Sequence, residues 1–421
     1  MYLIWFYSKK SLFKLNKFDY YKKSFKDLQE KWITTIYFYK EDPYITLDQD
    51  IIDWITSVGV EIIWFQDEWE IVAHIQTLQW KIFINTFEEQ EIPFTNMIRN
   101  MLGQKTTSNP ELFLNKYIQR ETIWKTYPET IVQYKQFSIE EANELREEDF
   151  PPFPCVIKPI KWVQSSGVCK IENYGQYMAA LETTLAALKM LENKRLKNQS
   201  IIIEEFIDGK MYTIDYYVDE EQNISLSQPI SIKLWIDYGI DDFCNVSRFI
   251  SHEVETEVDK KKLHEFVHKT VIGWKIRNTF VHHEFKINPK WEFKTIETNW
   301  RIWGFRLDMY QIWYNVNLLF LPFAQQHQDF VLQKNIAMFA LYPPKQWLFT
   351  WYNEEILDTI CSCKSFHRIN KIITAIWTPI WLTQNWYGKV WSIELVSDYS
   401  EDFKHDIEYI EKKYFDIVDM Q

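Results

Sequence analysis

Short apolar stretches alternate with amphipathic stretches over the first hundred or so residues of the chain. The apolar stretches MYLIWFY, ITTIYFY, VEIIWF and KIFINTF have the length and composition of β-strands. Between them, stretches such as SFKDLQEK and DQDIIDWITSV have the periodicity of amphipathic helices. Because strands that alternate with helices form layered α/β structures, this pattern predicts an open α/β layer at the start of the sequence.

The remainder of the sequence has a more mixed pattern. Helical periodicity from 97 to 125 is interrupted at Ser108-Asn109-Pro110, and a proline-rich connector occupies residues 150 to 154. Beyond it, the sequence predicts a strand–loop–strand unit in CVIKPIKWVQSSGVCKI, a helix from about Asn173 to Arg195, a strand in SIIIEEF and a hairpin in MYTIDYYVDEEQNISLS. A helix in VDKKKLHEFVHKTVIGWKI, a hairpin in TFVHHEFKINPKWEFKTIETN and an α/β or α+β unit from about 330 to 421 follow. The predicted fold class is therefore α/β with α+β character, and 421 residues suit two to three domains.

The charge balance and the cysteines restrict the partners and the location of the protein. The chain has 59 Asp and Glu residues against 47 Lys and Arg residues, which argues against nucleic acid or an anionic membrane as partner. No apolar run approaches the roughly 18 residues of a membrane span, and the opening MYLIWFYSKK has too few apolar residues for a signal peptide. The five cysteines are scattered, as is typical of reduced thiols, and we expect a cytoplasmic protein.

Glycine and tryptophan have unusual abundances. The chain has 9 glycines in 421 residues, against a usual share of about 7%, and 20 tryptophans. Several tryptophans stand where turn chemistry favours glycine. Trp291 ends the turn sequence NPKW, Trp32 ends a predicted helix before a strand, and Trp386 replaces the glycine of an Asn-Gly hairpin turn in QNWYGK.

Two interpretations of the tryptophans remain open. In one, an aromatic-rich protein uses them in its core or as a stacking platform, as the apolar surroundings of Trp5 and Trp64 suggest. In the other, which we favour, many are glycine in the source organism, where a codon such as UGA is reassigned to glycine. The second predicts strained or outward-pointing indoles at Trp162, Trp300 and Trp303. Ordinary UGG codons at these positions in the gene would contradict it.

Two further segments contain residue types suited to phosphate. In FPCVIKPIKWVQSSGV a lysine at a strand end precedes a loop that consists of small residues once Trp162 is read as glycine. The backbone N–H groups of such a loop can approach phosphates closely. In IETNWRIWGFR, Arg301 offers a planar fork of donors that suits a transferring phosphoryl group. A solvated surface lysine is the ordinary alternative for the first segment.

The second hairpin places oxygen ligands together. A two-residue loop at Pro289-Lys290 would pair Glu284 with Thr295, and strand alternation then places Glu297 and Asn299 on the same face. Carboxylate and amide oxygens converging from adjacent strands suit a hard cation that keeps positions open for phosphate oxygens. The alternative is a hairpin with a solvated, charged face.

Taken in chain order, these features resemble those of ATP-grasp carboxylate–amine ligases over about residues 95 to 325, and the region before them is similar to that family's N-terminal domain. FLNKYIQRETI resembles the family's nucleotide-binding helix, with Lys116 as the phosphate lysine and Asn115 in place of the usual acid. CVIKP supplies a second nucleotide lysine, Lys158. VQSSGV resembles the mobile phosphate-covering loop, and IIIEEFIDG resembles the hinge that meets adenine. The further nucleotide-binding residues that this resemblance implies are Ser165, Ser166, Gly167, Glu204, Glu205, Phe206 and Ile207.

The resemblance implies ATP together with Mg²⁺ or Mn²⁺ as cofactors. Glu284, Glu297 and Asn299 match the family's metal ligands, and Arg301 matches its transition-state arginine. Met211 stands where the family often has a ribose-binding acid, so the resemblance assigns no ribose contact.

The residues that would contact the second substrate are less specific. Arg306 and Arg248 are candidates for binding the acceptor carboxylate, and His252 is a candidate base. At least one ring of His282 and His283 is expected to face the core, and a structural role is the favoured interpretation for each histidine.

The resemblance also implies a domain organisation and a reaction. Residues 1–110 would form an N-terminal α/β domain, 111–325 an ATP-grasp domain with lobes at about 125–200 and 201–325, and 326–421 a C-terminal α+β region. A small-molecule carboxylate would be activated as an acyl phosphate and captured by an amine, giving ADP and phosphate, and a homodimer is considered. The alternatives are a catalytically inactive ATP-binding relative and an aromatic-rich binding protein.

Overall fold

The computed structural model describes residues 1–6, 19–40, 49–86, 91–107, 109–161, 167–192, 200–239, 243–301, 306–324, 327, 329–342, 347–371, 378–380 and 390–420. Among these residues, none of the helices is both long and apolar enough to cross a membrane. Trp162, Ser165, Ser166, Trp303 and Trp386 lie outside the described ranges.

The N-terminal layer is a parallel sheet with the strand order β3-β2-β1-β4 and helices between the strands. Its elements in chain order are β1 Tyr2–Phe6, α1 Asp19–Glu30, β2 Thr34–Lys40, α2 Gln49–Ser57, β3 Val60–Phe65, α3 Glu68–Thr77, β4 Ile82–Thr86 and α4 Ile92–Met101. Successive residues of β1 are buried in separate clusters on its two faces, as the near-continuous apolar runs require of parallel strands. The predicted open α/β layer is confirmed.

The middle of the chain forms a small antiparallel sheet with the order β5-β8-β6-β7. The helix α7 covers one face of this sheet, where Tyr177 and Leu181 are buried against Ile157 and Ile203. The elements of this lobe and of the segment leading into it are a 3₁₀ turn Pro110–Phe113, α5 Lys116–Trp124, β5 Tyr134–Ser138, α6 Ile139–Ala142, β6 Cys155–Pro159, β7 Cys169–Ile171, α7 Tyr177–Glu192 and β8 Ser200–Glu205.

A large antiparallel sheet follows, with the order β14-β13-β9-β11-β12-β15-β19-β17 and with β10 attached to β9. One face packs against the helix α9, and the other packs against the N-terminal layer, where Phe83 contacts Tyr217 and Phe280. Its elements are β9 Lys210–Val218, β10 Ile224–Leu226, β11 Ile230–Leu234, β12 Asn245–Ile250, α8 His252–Glu257, α9 Lys260–Gly273, β13 Thr279–Ile287, β14 Phe293–Asn299 and α10 Arg306–Tyr314.

The C-terminal region continues this large sheet. Its strands β15, β19 and β17 are hydrogen-bonded to one another and, through β12, to the strands of the middle region. A separate small sheet has the order β18-β16-β20. The elements are β15 Asn335–Leu341, β16 Trp347–Tyr352, α11 Glu354–Cys361, β17 Phe366–Lys371, β18 Thr378–Ile380, β19 Trp391–Ser397, α12 Ser400–Lys413 and β20 Val418–Met420. The domain boundaries expected from the sequence stay predictions.

Two tryptophans occupy left-handed backbone positions in tight turns. Trp32 has φ 60° and follows α1. It donates its N–H to Gln29 at 3.0 Å while Ile33 donates to Leu28 at 3.0 Å, a helix-ending motif in which glycine is usual. Trp291 has φ 61° and follows a turn closed by its N–H to the carbonyl of Asn288 at 2.9 Å. Their side chains are 88% and 59% exposed, so neither indole contributes much to the core.

Trp300 differs from these two. It is 1% exposed and packs in the main core cluster, and its φ is not positive. The expectation of a strained or outward-pointing indole is therefore wrong at Trp300, because its side chain points into the core beneath the large sheet. The corresponding expectations for Trp162 and Trp303 fall on residues outside the described ranges.

Replacing Trp32 or Trp291 by glycine is expected to raise the free energy of unfolding by about 1 kcal/mol each. A left-handed backbone costs other L-residues roughly 1–2 kcal/mol, and little packing is lost with an exposed indole. Urea unfolding of each variant measures the change. Trp69, exposed in the first turn of α3, is the matched control, and Trp69→Gly is expected to lower stability by about 0.5–1 kcal/mol. Destabilisation in all three variants would argue against glycine at Trp32 and Trp291.

Candidate active site

A cleft of about 820 Å³, open to solvent, lies between the small antiparallel sheet and the large sheet. Residues from both sheets and from α5 line it. Those that the sequence had singled out are Lys116, Lys158, Glu204, Glu205, Phe206, Ile207, Met211, Glu284 and Glu297. The structure therefore brings most of the described candidates to one place.

The helix α5 delivers two cations to the cleft. Asn115 caps this helix by accepting the N–H of Ile118 at 3.2 Å, so an amide replaces an acid here without loss of the cap. Lys116 begins the helix, is buried, and places its Nζ 3.2 Å from Oε1 of Glu297. Arg120, one turn later on the same face, is fully buried and was missed by the sequence reasoning. Its spacing of four residues from Lys116 was the available signal.

Arg120 joins both walls of the cleft. Its Nε lies 2.8 Å from Oε1 of Glu204 on β8, and its Nη2 donates to the carbonyl oxygen of Ile296 on β14 at 2.5 Å. The Glu204 carboxylate also pairs with the Nζ of Lys158, which projects from the neighbouring strand β6. Glu204 is therefore held between two cations rather than facing open solvent.

Burial and charge act against each other in this cluster. Burial would raise the pKa of Glu204, but Arg120 and Lys158 more than offset it and hold that pKa below its usual range. Burial lowers the pKa of Lys158, and repulsion from Arg120 and Lys116 acts in the same direction, while Glu204 opposes it. An anion placed beside Lys158 and Lys116 would relieve this repulsion, which suits a phosphate group.

The segment between β8 and β9 carries an aromatic ring, Phe206, that lines the cleft. The Nζ of Lys170 lies 4.2 Å from the centroid of the Phe206 ring, and the Nζ of Lys286 lies 4.8 Å from it. Lys286 also donates to the carbonyl of Ile207 at 3.0 Å, and burial lowers its pKa. The sequence reasoning missed Lys286, although alternation along HHEFK places it on the same face as Glu284.

Of the three candidates in the loop VQSSGV, Gly167 lies in the described part of the chain. Gly167 has φ 72°, and a Cβ there would lie 2.8 Å from the Cβ of Ala187 on α7. Its carbonyl accepts the hydroxyl of Thr184 at 3.0 Å. Glycine is therefore required at this position by both its backbone conformation and its neighbours.

The expected pairing of Glu284 with Thr295 is wrong. Three residues, ending in Trp291, separate Asn288 from Glu292 in the turn, and Thr295 instead pairs with Phe285. A bulge at Ile296 then shifts the register, so that Glu297 lies opposite Glu284. Asn299 lies opposite His282, two residues along each strand. The bulge, whose carbonyl is bonded by Arg120, therefore puts both carboxylates on the cleft face.

These oxygen donors fit Mg²⁺ better than a softer metal. Glu284 and Glu297 face each other across adjacent strands, Asn299 follows on the same face, and the Lys116 ammonium already lies against Glu297. Mg²⁺ commonly binds one or two carboxylates and completes its shell with water and phosphate oxygens. Among the described residues, no cluster of three or more His, Cys, Asp and Glu side chains forms a metal site of the protein alone.

The arginine candidates, one for the group in transfer and two for the acceptor carboxylate, are not among the residues that line this cleft. Arg301 lines a smaller cavity of about 260 Å³ together with Asp215, Arg306 and several aromatic residues. Arg306 is buried, and its Nε lies 3.2 Å from Oδ2 of Asp215, so its charge is directed into the protein. Arg248 is also buried, which lowers its pKa to about 10, with Arg306 and Glu284 both close enough to affect it.

The histidines divide into different settings. His252 begins α8, is mostly exposed, and lies with its Nδ1 3.5 Å from Glu255. His283 is buried on the face away from the cleft, where it contacts Tyr216 and Thr295, and burial lowers its pKa to about 3. His282 is buried on the cleft face with its Nδ1 2.6 Å from Oδ1 of Asp215.

Comparisons with known proteins agree with this architecture. Residues 151–306 match the family model described as the ATP-grasp domain. No curated protein matches the sequence. Among solved structures, L-amino acid ligase from Bacillus licheniformis is similar with a TM-score of 0.68 at 15% identity, covering 100% of this chain and 98% of that one.

Two further solved structures resemble the chain over nearly its whole length. N5-carboxyaminoimidazole ribonucleotide synthetase from Thermotoga maritima has a TM-score of 0.59 at 13% identity, covering 100% of this chain and 99% of that one. The biotin carboxylase domain dimer of 2-oxoglutarate carboxylase from Hydrogenobacter thermophilus, in complex with MgADP, ADP and bicarbonate, has a TM-score of 0.57 at 10% identity, covering 100% and 90%. At these identities the likeness concerns the fold.

The sheet order and the cleft lined by two lysines and two facing carboxylates define a protein of the ATP-grasp fold, which confirms the fold expected from the sequence. The family match places an ATP-grasp domain at residues 151–306 of the chain.

Proposed function

We propose that this chain is an ATP-dependent ligase that activates a small-molecule carboxylate as an acyl phosphate for capture by an amine. The observation that carries the proposal is the arrangement of the cleft, in which Glu284 and Glu297 face each other near Lys116 and Lys158. Positioned cations and oxygen ligands are what phosphoryl transfer requires, since the reaction depends on charge neutralisation more than on an acid and base pair.

Each group has a role in this proposal. Lys116 and Lys158 hold the phosphates of ATP, and the hinge at Glu205 to Ile207 accommodates the base. Glu284, Glu297 and Asn299 would hold Mg²⁺, which when bound neutralises charge on the phosphate oxygens. Arg301 stabilises the negative charge of the group in transfer.

The reaction proceeds in two balanced steps. A carboxylate oxygen of the substrate forms a bond to the γ-phosphorus, and the bond from that phosphorus to the β,γ-bridging oxygen breaks to release ADP. The amine nitrogen then forms a bond to the acyl carbon while the carbon–oxygen bond to phosphate breaks. The amine loses a proton, and phosphate leaves.

Two buried arginines are the candidates for binding the acceptor carboxylate. Arg248 remains the candidate for the acceptor carboxylate, because it is buried on the same face of the large sheet as Glu284 and close enough for that carboxylate to affect its pKa. Arg306 is a weaker candidate than the sequence suggested, because its Nε is already paired with Asp215.

The similar structures support the reaction class. Their names include a ligase that acts on L-amino acids and a synthetase, and one was solved as a dimer with MgADP. We therefore propose small-molecule carboxylate and amine substrates, ATP with Mg²⁺, and a homodimer as the assembly to be examined by light scattering.

ADP release during incubation with Mg-ATP and pools of carboxylates and amines tests the proposal. We expect ADP release that requires a carboxylate and a condensed product, detectable by mass spectrometry, that also requires an amine. Reactions without Mg²⁺, without the carboxylate or without the amine are the controls. Tight ATP binding with no turnover for any pair would instead favour a catalytically inactive ATP-binding protein.

A further inference from the structure

Cross-strand rows on the cleft face place a buried ionic cluster beside the candidate metal ligands. In one row Thr213, Glu284 and Glu297 lie opposite one another on β9, β13 and β14. In the next row the opposed residues are Asp215, His282 and Asn299. Because residues two apart on a strand share a face, His282 is the immediate neighbour of Glu284 on that face.

Asp215 is clamped from two sides. Its Oδ1 lies 2.6 Å from Nδ1 of His282, and its Oδ2 lies 3.2 Å from Nε of Arg306. Arg306 also donates to the hydroxyl of Thr213 at 3.3 Å, and its guanidinium lies 5.5 Å from the ring centroid of Trp313. Burying a carboxylate is costly unless it is paired, and these two partners provide that pairing.

The clamp determines the direction of the His282 ring. With Nδ1 fixed on Asp215, the other ring nitrogen, Nε2, lies 3.7 Å from Oε1 of Glu284. Glu284 itself is only partly buried, and a free glutamate side chain has several rotamers of similar energy. A fixed nitrogen beside its carboxylate favours the rotamer in which that carboxylate remains on the cleft face.

The neighbouring histidine, His283, does not lie beside the Glu284 carboxylate. His283 points to the opposite face, where its Nε2 lies 3.0 Å from the hydroxyl oxygen of Thr295 and its ring stacks at 5.1 Å from that of Phe266. Both rings are buried on the same strand, so His283 provides a matched control for the effect of losing a buried imidazole.

We propose that His282 is a positioning residue that orients Glu284 toward a bound divalent cation, with Asp215 and Arg306 as its clamp. The inference rests on the proposed function, because it takes Glu284 as a metal ligand. Groups that orient a metal ligand typically change metal affinity 10- to 100-fold when they are lost.

The inference is tested by measuring Mn²⁺ binding to the full chain in the presence of ADP. Binding is detected as a loss of the electron paramagnetic resonance signal of free Mn²⁺. His282→Asn keeps a polar group near the Nδ1 position but removes the part of the ring that lies beside Glu284. We expect it to raise the Kd for Mn²⁺ by about 10- to 100-fold while the Kd for ADP without metal is unchanged. His282→Gln, which returns a polar group near the Nε2 position, is expected to restore part of the affinity. His283→Asn is expected to lower Tm without changing the Kd for Mn²⁺.

The outcomes separate the inference from the proposed function. Unchanged Mn²⁺ affinity in His282→Asn, together with loss of binding in Glu284→Ala, would overturn the positioning role and leave the proposed ligase site intact. Equal loss in the His282→Asn and His283→Asn variants would show a structural effect only and would also overturn it. If the unmodified chain bound no Mn²⁺ in the presence of ADP, both the positioning role of His282 and the proposed ligase function would be contradicted. If His282→Asn does not fold, the Kd for Mn²⁺ is compared between His282→Gln and His283→Gln. We expect a weaker affinity for Mn²⁺ in His282→Gln alone.

Discussion

Glu297→Gln is expected to lower the rate of ADP formation on the order of 10²-fold or more, because one charged oxygen ligand facing the phosphates is lost. The substitution keeps the shape of the side chain and its place opposite Glu284 on the bulged hairpin. It also removes the charge that pairs with the buried Lys116 ammonium at 3.2 Å. Steady-state kinetics at saturating ATP and Mg²⁺ measure the effect, and Tm reports any accompanying loss of stability.

Glu292 provides the matched control for this substitution. It lies on the same hairpin, in the exposed turn next to Trp291, and hydrogen-bonds with Asn288 rather than with any group in the cleft. Glu292→Gln should therefore leave the rate of ADP formation within about twofold of the unmodified protein, as is usual for surface substitutions. If Glu297→Gln retained full turnover, the metal assignment would have to be abandoned.

Arg120→Met is expected to lower the free energy of unfolding by about 3–5 kcal/mol, because it leaves the buried Glu204 carboxylate with a single cation. The carbonyl of Ile296 at the bulge also loses its donor. Urea denaturation with intrinsic fluorescence measures the stability. Binding of ADP is expected to weaken as well, since Lys158 would be drawn more strongly to Glu204.

A second substitution distinguishes an ionic effect from a loss of packing. Adding Glu204→Gln to Arg120→Met removes the unpaired charge, and the double variant should recover part of the lost stability. Arg146, an exposed arginine of the same lobe, is the control, and Arg146→Met should change stability by less than about 0.5 kcal/mol. A double variant less stable than the sum of both single changes would contradict the assigned pairing.

Local patterns in the sequence were sufficient for the elements and for much of the cleft. Strands that alternate with helices predicted the open α/β layer at the N-terminus, and the two lysine motifs and the hairpin acids do line one cleft. The roles of these residues stay predictions. The register of the hairpin was mispredicted because the turn has an additional residue and the bulge at Ile296 adds another, and neither has a strong sequence signal.

Arg120 and Asp215 are two buried charged residues that the sequence reasoning missed. Arg120 is paired with Glu204 across 84 positions of the chain, and Asp215 is paired with His282 across 67. Such pairs follow no periodicity, because each depends on how separate sheets and helices come together. Only their completed geometry distinguishes a buried arginine from a surface arginine in a helix such as KYIQR.

The tryptophans also separate what local sequence determines from what the whole fold determines. Turn chemistry correctly located left-handed positions at Trp32 and Trp291, because local hydrogen bonding determines the backbone there. It did not foresee that Trp300 is buried in the core, since burial depends on the whole sheet.

The bonds of Arg120 have a mechanical consequence for the cleft. The Arg120 guanidinium is bonded to Glu204, which also pairs with Lys158. It is bonded as well to the backbone of β14, the strand that carries Glu297. The two walls are therefore joined through one side chain at Glu204 and Ile296. While these bonds persist, β8 and β14 cannot separate at this point, so the distance between the two walls there depends on Arg120.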